Sequence, residues 1–341
     1  MRLKRLSDQV IVITGATSGI GLTTARMAAA RGAKVVLAAR GEEALEQLEQ
    51  QLRQRGAEAL AVPTDVGKKD EVHALAQAAI KRFGRIDTWI NNAGISIFGR
   101  AEEVTEEDNH RLFQTNFWGV VNGSLEAVKH LRKDGGALIN LGSELSEVAV
   151  PLQGMYAASK HAVKGYTDAL RMELEHDKLP ISVTLIKPAA IDTMFSVHAR
   201  NYMSVEPKLP EPIYPPEMVA EAILDAAQHP QRDVFVGNAA KANAVGGFML
   251  PSLFDKLGAS MMWKQQRTDK PSRRSRGDAL HSSDPAHELQ QRLGTQTAGT
   301  PTSYKAVRRS PLKLALLGGG ALAAAWMLTR GSGNAGQRDN S

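Results

Sequence analysis

The sequence predicts an open, doubly wound α/β domain built on a parallel sheet of about seven strands with helices on both faces. Three observations predict it. Short, continuous apolar runs recur from Val10 onward, with longer amphipathic stretches between them. The runs do not alternate apolar with polar, as strands covered on both faces require. The first run feeds directly into a glycine-rich turn and then a helical pattern. Strand, helix and strand repeated in this way give parallel strands joined by right-handed crossovers.

The strand candidates are 10–13, 35–38, 59–62, 88–90, 137–141, 181–186 and 234–236. Helical patterns occupy roughly 19–31, 41–55, 70–83, 106–131, 155–177 and 216–229. Gly32, Gly56 and Gly84 follow three of these patterns, where a helix end needs a left-handed residue. The organisation expected is a doubly wound α/β domain over 1–240, then an apolar helical extension over 241–267. The latter is interrupted at Pro251, and packs on the sheet domain or forms a lid at a substrate site or membrane surface. Residues 268–310 are rich in Ser, Thr, Pro, Gly and Arg, a composition that predicts a flexible basic linker.

Within 311–330 lies Leu314–Leu328, an uncharged apolar run preceded by Arg308, Arg309 and Lys313 and followed by Arg330. Fifteen helical residues reach about 22 Å, short of the roughly 30 Å hydrocarbon core; extension to Pro311 and Thr329, with Lys313 snorkelling, approaches it. A membrane-anchoring helix is the first expectation there, with an interfacial or partner-binding helix and an unstructured tail as alternatives. The basic residues before it would keep the catalytic domain in the cytoplasm. Residues 331–341 are a polar tail.

Composition narrows the chemistry. The chain has 341 residues and no cysteine, so disulfides, thiolate metal sites and cysteine nucleophiles are excluded. No metal is expected, since His73, His110, His130 and His176 show no ligand spacing, and His161 points away from its neighbour Lys160. The N-terminus carries no signal-peptide apolar stretch. The net charge is +6, yet basic and acidic residues balance over 1–267. The excess therefore lies in 268–341. Nucleic acid has no claim on the body, and anionic lipid is the natural partner of the tail.

The turn Thr14-Gly15-Ala16-Thr17-Ser18-Gly19-Ile20-Gly21 sits where a pyrophosphate meets the backbone amides of a helix N-terminus. The second strand ends Ala38-Ala39-Arg40. It offers no carboxylate for a free ribose hydroxyl, and a guanidinium suits a 2′-phosphate, so NADP(H) is expected. Tyr156 and Lys160 lie four apart on one helical face. A phenol ordinarily titrates near about 10, and making it an acid–base catalyst at neutral pH needs roughly 4 kcal/mol of phenolate stabilisation. One ammonium at about 4 Å supplies that order of energy. Ser143, just past the fifth strand, can hold a substrate oxygen while the tyrosine exchanges its proton.

Together these motifs, with Asp65-Val66, Asn91-Asn92-Ala93-Gly94, Asn116 and Lys187-Pro188, resemble the short-chain dehydrogenase/reductase superfamily, a Rossmann-fold family, over residues 8 to about 237. The resemblance implies a tetrad of Asn116, Ser143, Tyr156 and Lys160. Tyr156 would exchange the proton and Ser143 bind the substrate oxygen. Lys160 would bind the nicotinamide ribose, and Asn116 hold a water in a proton relay. It further implies cofactor contacts from Gly15, Thr17, Ser18, Gly19, Ile20, Gly21, Arg40, Asp65, Val66, Asn92, Ala93, Gly94, Pro188, Ile191 and Thr193.

One departure stands out. The family pattern Pro-Gly reads Pro188-Ala189 here, so the loop over the nicotinamide needs an unstrained backbone. The segments after Ser143 and Pro188, which line the substrate pocket in this family, supply Leu145, Val148, Val150, Leu152, Met155, Ile191, Met194, Phe195, Val197, Tyr202, Met203 and Leu209. These predict a lipophilic alcohol or carbonyl substrate, and the resemblance implies a homo-oligomer formed through the helices 106–131 and 155–177. The same fold could also run epimerisation or dehydration, or serve as a nucleotide-binding regulatory protein tethered to a membrane.

Overall fold

In a computed structural model, the structure describes residues 2–272 and 278–298. The seven apolar runs are strands β1 (Val10–Thr14), β2 (Lys34–Ala39), β3 (Ala59–Pro63), β4 (Thr88–Asn91), β5 (Gly136–Leu141), β6 (Ile181–Pro188) and β7 (Asp233–Val236). They form one all-parallel sheet in the order β7-β6-β5-β4-β1-β2-β3. Val12 pairs with Val36 on one side and with Trp89 on the other. The strand order reverses at β1–β4, and such a switch point opens a crevice beyond the strands' carboxyl ends.

The helices are α1 (Gly19–Ala30), α2 (Glu42–Gln54), α3 (Lys69–Phe83), α4 (Glu106–Phe113), α5 (Gly119–Leu131), α6 (Gly154–His176), a short α7 (Phe195–His198) and α8 (Pro216–Ala226). Alternation along each strand builds two cores. Val10, Val12, Val36, Ala38, Trp89 and Leu138 pack with Val72, Leu75 and Ala76 of α3, Ala127 and Leu131 of α5, and Leu170 of α6. Ile11, Ile13, Val35 and Leu37 are fully buried at the intervening positions, where the pleat turns them to the opposite face. Each such side chain stabilises the fold by roughly 1.5–3 kcal/mol. Gly32, Gly56 and Gly84 all have positive φ at helix ends, as their placement predicts.

The long helix expected over 106–131 is interrupted by a π-turn, Gln114–Trp118. Such turns re-aim side chains and recur at functional sites. The extension past the sheet is helical: α9 (Asn238–Met249), α10 (Pro251–Leu257), a second π-turn at Gly258–Met262 and α11 (Trp263–Gln265), with the break falling at Leu250–Pro251.

The linker expectation for 268–310 needs correction over the part described. Arg267–Pro271 pairs antiparallel with Val205–Pro207, and residues 278–298 run along the body through specific hydrogen bonds. Polar composition leaves few apolar anchors, Leu280 the chief one among the described residues, and backbone and side-chain hydrogen bonds hold the rest of this segment. The expected membrane anchor at 311–330 and the tail at 331–341 lie outside the described residues. Among the described residues, no helix is long and apolar enough to cross a membrane, and no cluster of His, Asp and Glu could hold a metal.

Candidate active site

The carboxyl ends of β1 and β4 are laced together. Thr14 Oγ1 accepts from the Asn92 and Ala93 N–H groups at 3.0 and 3.1 Å, and Asn92 Nδ2 donates to the Thr14 carbonyl at 2.9 Å. Gly15 and Gly19 adopt left-handed φ of 65° and 50°. A Cβ on Gly21 would stand 2.0 Å from the Gly15 carbonyl oxygen, so only glycine lets α1 start this close to the turn. A Cβ on Gly94 would approach Asn116 Oδ1 at 3.5 Å and Lys160 Nζ at 3.7 Å. The floor between the turn and the tetrad is therefore bare backbone, shaped to receive a dinucleotide.

The π-turn sets Asn116, which is fully buried. Its Nδ2 donates to the Ile95 carbonyl at 2.9 Å and to Ser159 Oγ at 3.2 Å, while its Oδ1 accepts the Ile95 N–H at 2.9 Å. The side chain thus fixes the Asn92–Ile95 loop. Ser143 caps a one-turn 3₁₀ helix at the end of β5: its Oγ accepts from Leu145 N–H at 3.1 Å, and its N–H donates to Ser146 Oγ at 3.1 Å. The Ser143 hydroxyl and the Tyr156 phenol both line the same cavity wall. Tyr156 comes from the first turn of α6 and stacks edge-on against Phe195, ring centroids 5.3 Å apart. One turn on, Lys160 lies 5.7 Å from the Tyr156 ring centroid and donates to the Leu141 carbonyl at 2.8 Å.

Burial dominates the electrostatics here. It pushes the Tyr156 phenol well above its ordinary range, opposed by the Ser143 hydroxyl and reinforced by the nearby Glu144 carboxylate. It lowers Lys160 to about 8. Glu144 is itself pushed up by burial, with Asn243 of α9 donating to it at 2.8 Å as the opposing effect. A phenol held neutral in this way is a proton donor, suited to a developing alkoxide.

Ser143, Tyr156, Asn92 to Gly94, Gly15, Ser18, Gly19, Ile20, Pro188, Ile191 and Thr193 line one cavity. Lys160 and Asn116 stand behind that wall. A second cavity adjoins it, lined by Thr17, Arg40, Asp65 and Val66. Asp65 accepts from Arg111 Nη2 at 2.8 Å and from Gly67 N–H at 3.0 Å, which hold its carboxyl below the usual range against burial. Gly21 lies beneath the turn. Thr193 faces Gly19 across the cleft, 3.0 Å from the position of an added Cβ. Ala189 avoids positive φ, its N–H donating to the Val236 carbonyl at 2.9 Å, so the Pro188-Ala189 departure is accommodated without strain.

Of the predicted apolar lining, Leu145, Val150, Ile191, Met194, Phe195 and Leu209 reach the first cavity. The others do not. Val148 packs behind Leu145, and Leu152 and Met203 pack with Phe98. Met155 faces solvent, Val197 is absent from the lining, and Tyr202 turns its hydroxyl to Asp108 at 2.7 Å. Sequence reasoning missed Glu144, Gln153, His198 and Pro210, which also line this cavity. Glu144 could have been found as a lone carboxylate between Ser143 and Leu145. Gln153 is fixed by Gln266 at the end of α11, donating to its Oε1 at 2.6 Å, while Gln266 Nε2 donates to the Pro151 carbonyl at 2.8 Å.

The switch-point cleft, bare glycine floor and buried Ser-Tyr-Lys arrangement define a nicotinamide-dinucleotide oxidoreductase of the Rossmann class. The chain belongs to the short chain dehydrogenase family, whose model matches residues 9–203. It is 51% identical over 284 residues to YxnA of Bacillus subtilis (strain 168), described as an uncharacterized oxidoreductase, covering 82% of this chain and 80% of that one. Among solved structures it is similar to a short chain dehydrogenase/reductase from Burkholderia phymatum in complex with NAD, with TM-score 0.64, 26% identity, and coverage of 80% of this chain and 100% of that one. It is also similar to a gluconate 5-dehydrogenase from Burkholderia cenocepacia J2315 in complex with NADP and tartrate, with TM-score 0.60, 26% identity, and coverage of 70% and 97%. A nicotinamide cofactor is common to those two complexes, one NAD and one NADP.

Proposed function

We propose that the protein is an NADP(H)-dependent oxidoreductase interconverting a carbonyl and a secondary alcohol on a lipophilic substrate, with Tyr156 as general acid and base. The observation that carries this is that Ser143 and Tyr156 line one cavity with Gly15, Ser18, Gly19 and Ile20 of the turn, backed by buried Lys160. The bound nicotinamide supplies or accepts the hydride. Ser143 holds the substrate oxygen, and Tyr156 delivers its proton to that oxygen in reduction or removes it in oxidation. Lys160 places positive charge beneath the phenol, and Asn116 keeps the Ile95 loop in register against both.

Arg40 at the end of β2 supports the 2′-phosphate assignment, since no carboxylate of that strand competes for the ribose. Leu145, Val150, Met194, Phe195 and Leu209 support an apolar substrate. Exposed Trp118, Leu125 and Met172, on the helices named for oligomer contacts, support a homo-oligomer, which light scattering on the purified chain decides. The apolar run in 311–330 supports attachment of the catalytic domain to a membrane, tested by carbonate extraction with and without residues 311–341.

The decisive experiment follows NADPH oxidation against a panel of lipophilic ketones and aldehydes, comparing wild type with Tyr156→Phe. Turnover by wild type and a loss of about 10²–10⁴-fold in the variant is expected. Equal rates in the two proteins overturn the role of Tyr156.

A further inference from the structure

The two positions that a dinucleotide's phosphates need are filled by this chain's own C-terminal segment. Residues 278–298 have no counterpart in the strand–helix pattern of the sequence. In the structure they cross the carboxyl edge of the sheet over the glycine turn. The Gly19 N–H, at the start of α1, donates to the Gln290 carbonyl at 3.0 Å, and Leu289 N–H returns a bond to the Thr17 carbonyl at 2.7 Å. Arg40 donates to three carbonyls of the same segment: Ala279, Leu280 at 3.2 Å and Ser282 at 2.9 Å. An α1 N-terminus and a guanidinium are anion sites by their chemistry. Here both are satisfied by neutral carbonyl oxygens.

The segment is anchored by specific contacts rather than draped. Leu280 is fully buried in the cluster that contains Leu145 and Tyr156. Its carbonyl also accepts from Arg111 at 3.0 Å, His281 pairs with Asp108 at 2.8 Å, and Asp278 with Arg200 at 3.1 Å. Two carboxylates, Asp284 and Glu288, line the second cavity beside Arg40. A 2′-phosphate arriving there would meet both.

We infer that residues 278–291 form an autoinhibitory strap that occupies the phosphate positions of the cofactor cleft and withdraws when NADP(H) binds. The inference rests on the cofactor assignment proposed above. Three features make the exchange favourable. The neutral bond from the Gly19 N–H to a carbonyl gives way to a charge-assisted bond to phosphate, roughly twice as strong, and Arg40 exchanges neutral carbonyls for a full opposite charge. The strap's carboxylates are repelled by the incoming anion. The strap also strains its own backbone, Leu289 sitting at a left-handed φ of 58°. The fraction of open molecules then sets the apparent affinity for the cofactor.

Hydrogen exchange on the full-length chain, with and without saturating NADPH, tests this directly. Peptides spanning 279–292 should exchange faster with NADPH, while those of α1 are protected. Calorimetric titration of NADPH supplies the second measurement. Leu280→Ala, which loosens the strap, should bind NADPH about tenfold more tightly than wild type. Leu289→Gly, which relieves the strain and favours the closed strap, should bind it several-fold more weakly. Binding with the strap peptides protected or unchanged overturns the strap alone. Absence of NADPH binding in wild type and both variants overturns the cofactor assignment and the strap with it.

Discussion

Asn116 and Ile95 are joined at both ends of one carboxamide, with the Asn116 Nδ2 donating to the Ile95 carbonyl and its Oδ1 accepting the Ile95 N–H, each at 2.9 Å. A side chain bonded in this manner imitates a strand partner. Both Nδ2 protons are engaged, by Ile95 and Ser159, while Oδ1 keeps a second lone pair. The side chain positions the loop whatever else it binds.

Asn116→Ala should therefore act through the loop. It leaves a buried N–H and a buried carbonyl unpaired, for a loss of about 2 kcal/mol or more in urea unfolding. Cofactor KM should rise more than kcat falls. A variant as stable as wild type would show that the loop finds other partners.

Lys160 carries a stability cost with a defined pH window. Its ammonium is buried and titrates at about 8, below its ordinary value. Between about 8 and 10.5 the unfolded chain holds a proton that the folded chain has released, so stability attributable to this group rises with pH across that window. Relative to Lys160→Met, wild type should gain about 3 kcal/mol between pH 7.5 and 10.5. Parallel unfolding curves across that range contradict the assignment.

The Glu144 carboxylate bears on the Tyr156 phenol. The carboxylate adds to the effect of burial in raising the phenol. In the mechanism proposed above, alcohol oxidation needs the phenolate, so Glu144→Gln should move the rising limb of the oxidation profile to lower pH. The descending limb of carbonyl reduction should move the same way. A shift to higher pH, or none, measured by initial rates, rules out this coupling.

Arg40→Asp should raise the KM for NADP far more than that for NAD, by about tenfold or more, because a charged bond to the 2′-phosphate is exchanged for repulsion. Equal changes for the two coenzymes rule out the 2′-phosphate contact.

The parallel sheet was legible because strands buried on both faces must be continuously apolar, and Val10–Thr14 through Val234–Val236 are. Tyr156 and Lys160 were legible as a pair because they share a helix face, and Ser143 because it follows a strand, whereas Asn116 entered only through the family resemblance. The π-turn at Gln114–Trp118 was not, since one added residue per turn leaves the apolar spacing of 106–131 intact. Glu144 was passed over because a charge in a loop ordinarily faces water, whereas α9 covers this one. Residues 278–298 read as linker because one buried leucine, Leu280, two ion pairs and a row of backbone carbonyls hold them, and none of these makes a repeating side-chain pattern.

The Gln266 clasp on Pro151 and Gln153 bears on where the working unit ends. Between those two residues Leu152 is held at a left-handed φ of 67°, a conformation that costs a branched side chain about 1–2 kcal/mol, and α6 with Tyr156 begins directly after it. The dinucleotide-binding sheet is complete by Val236, yet the residue that keeps the entrance to α6 wound lies thirty positions later. A chain cut at the end of the sheet would keep Ser143, Tyr156 and Lys160 and lose the tension that aims them. The smallest competent enzyme in this sequence is therefore longer than its fold.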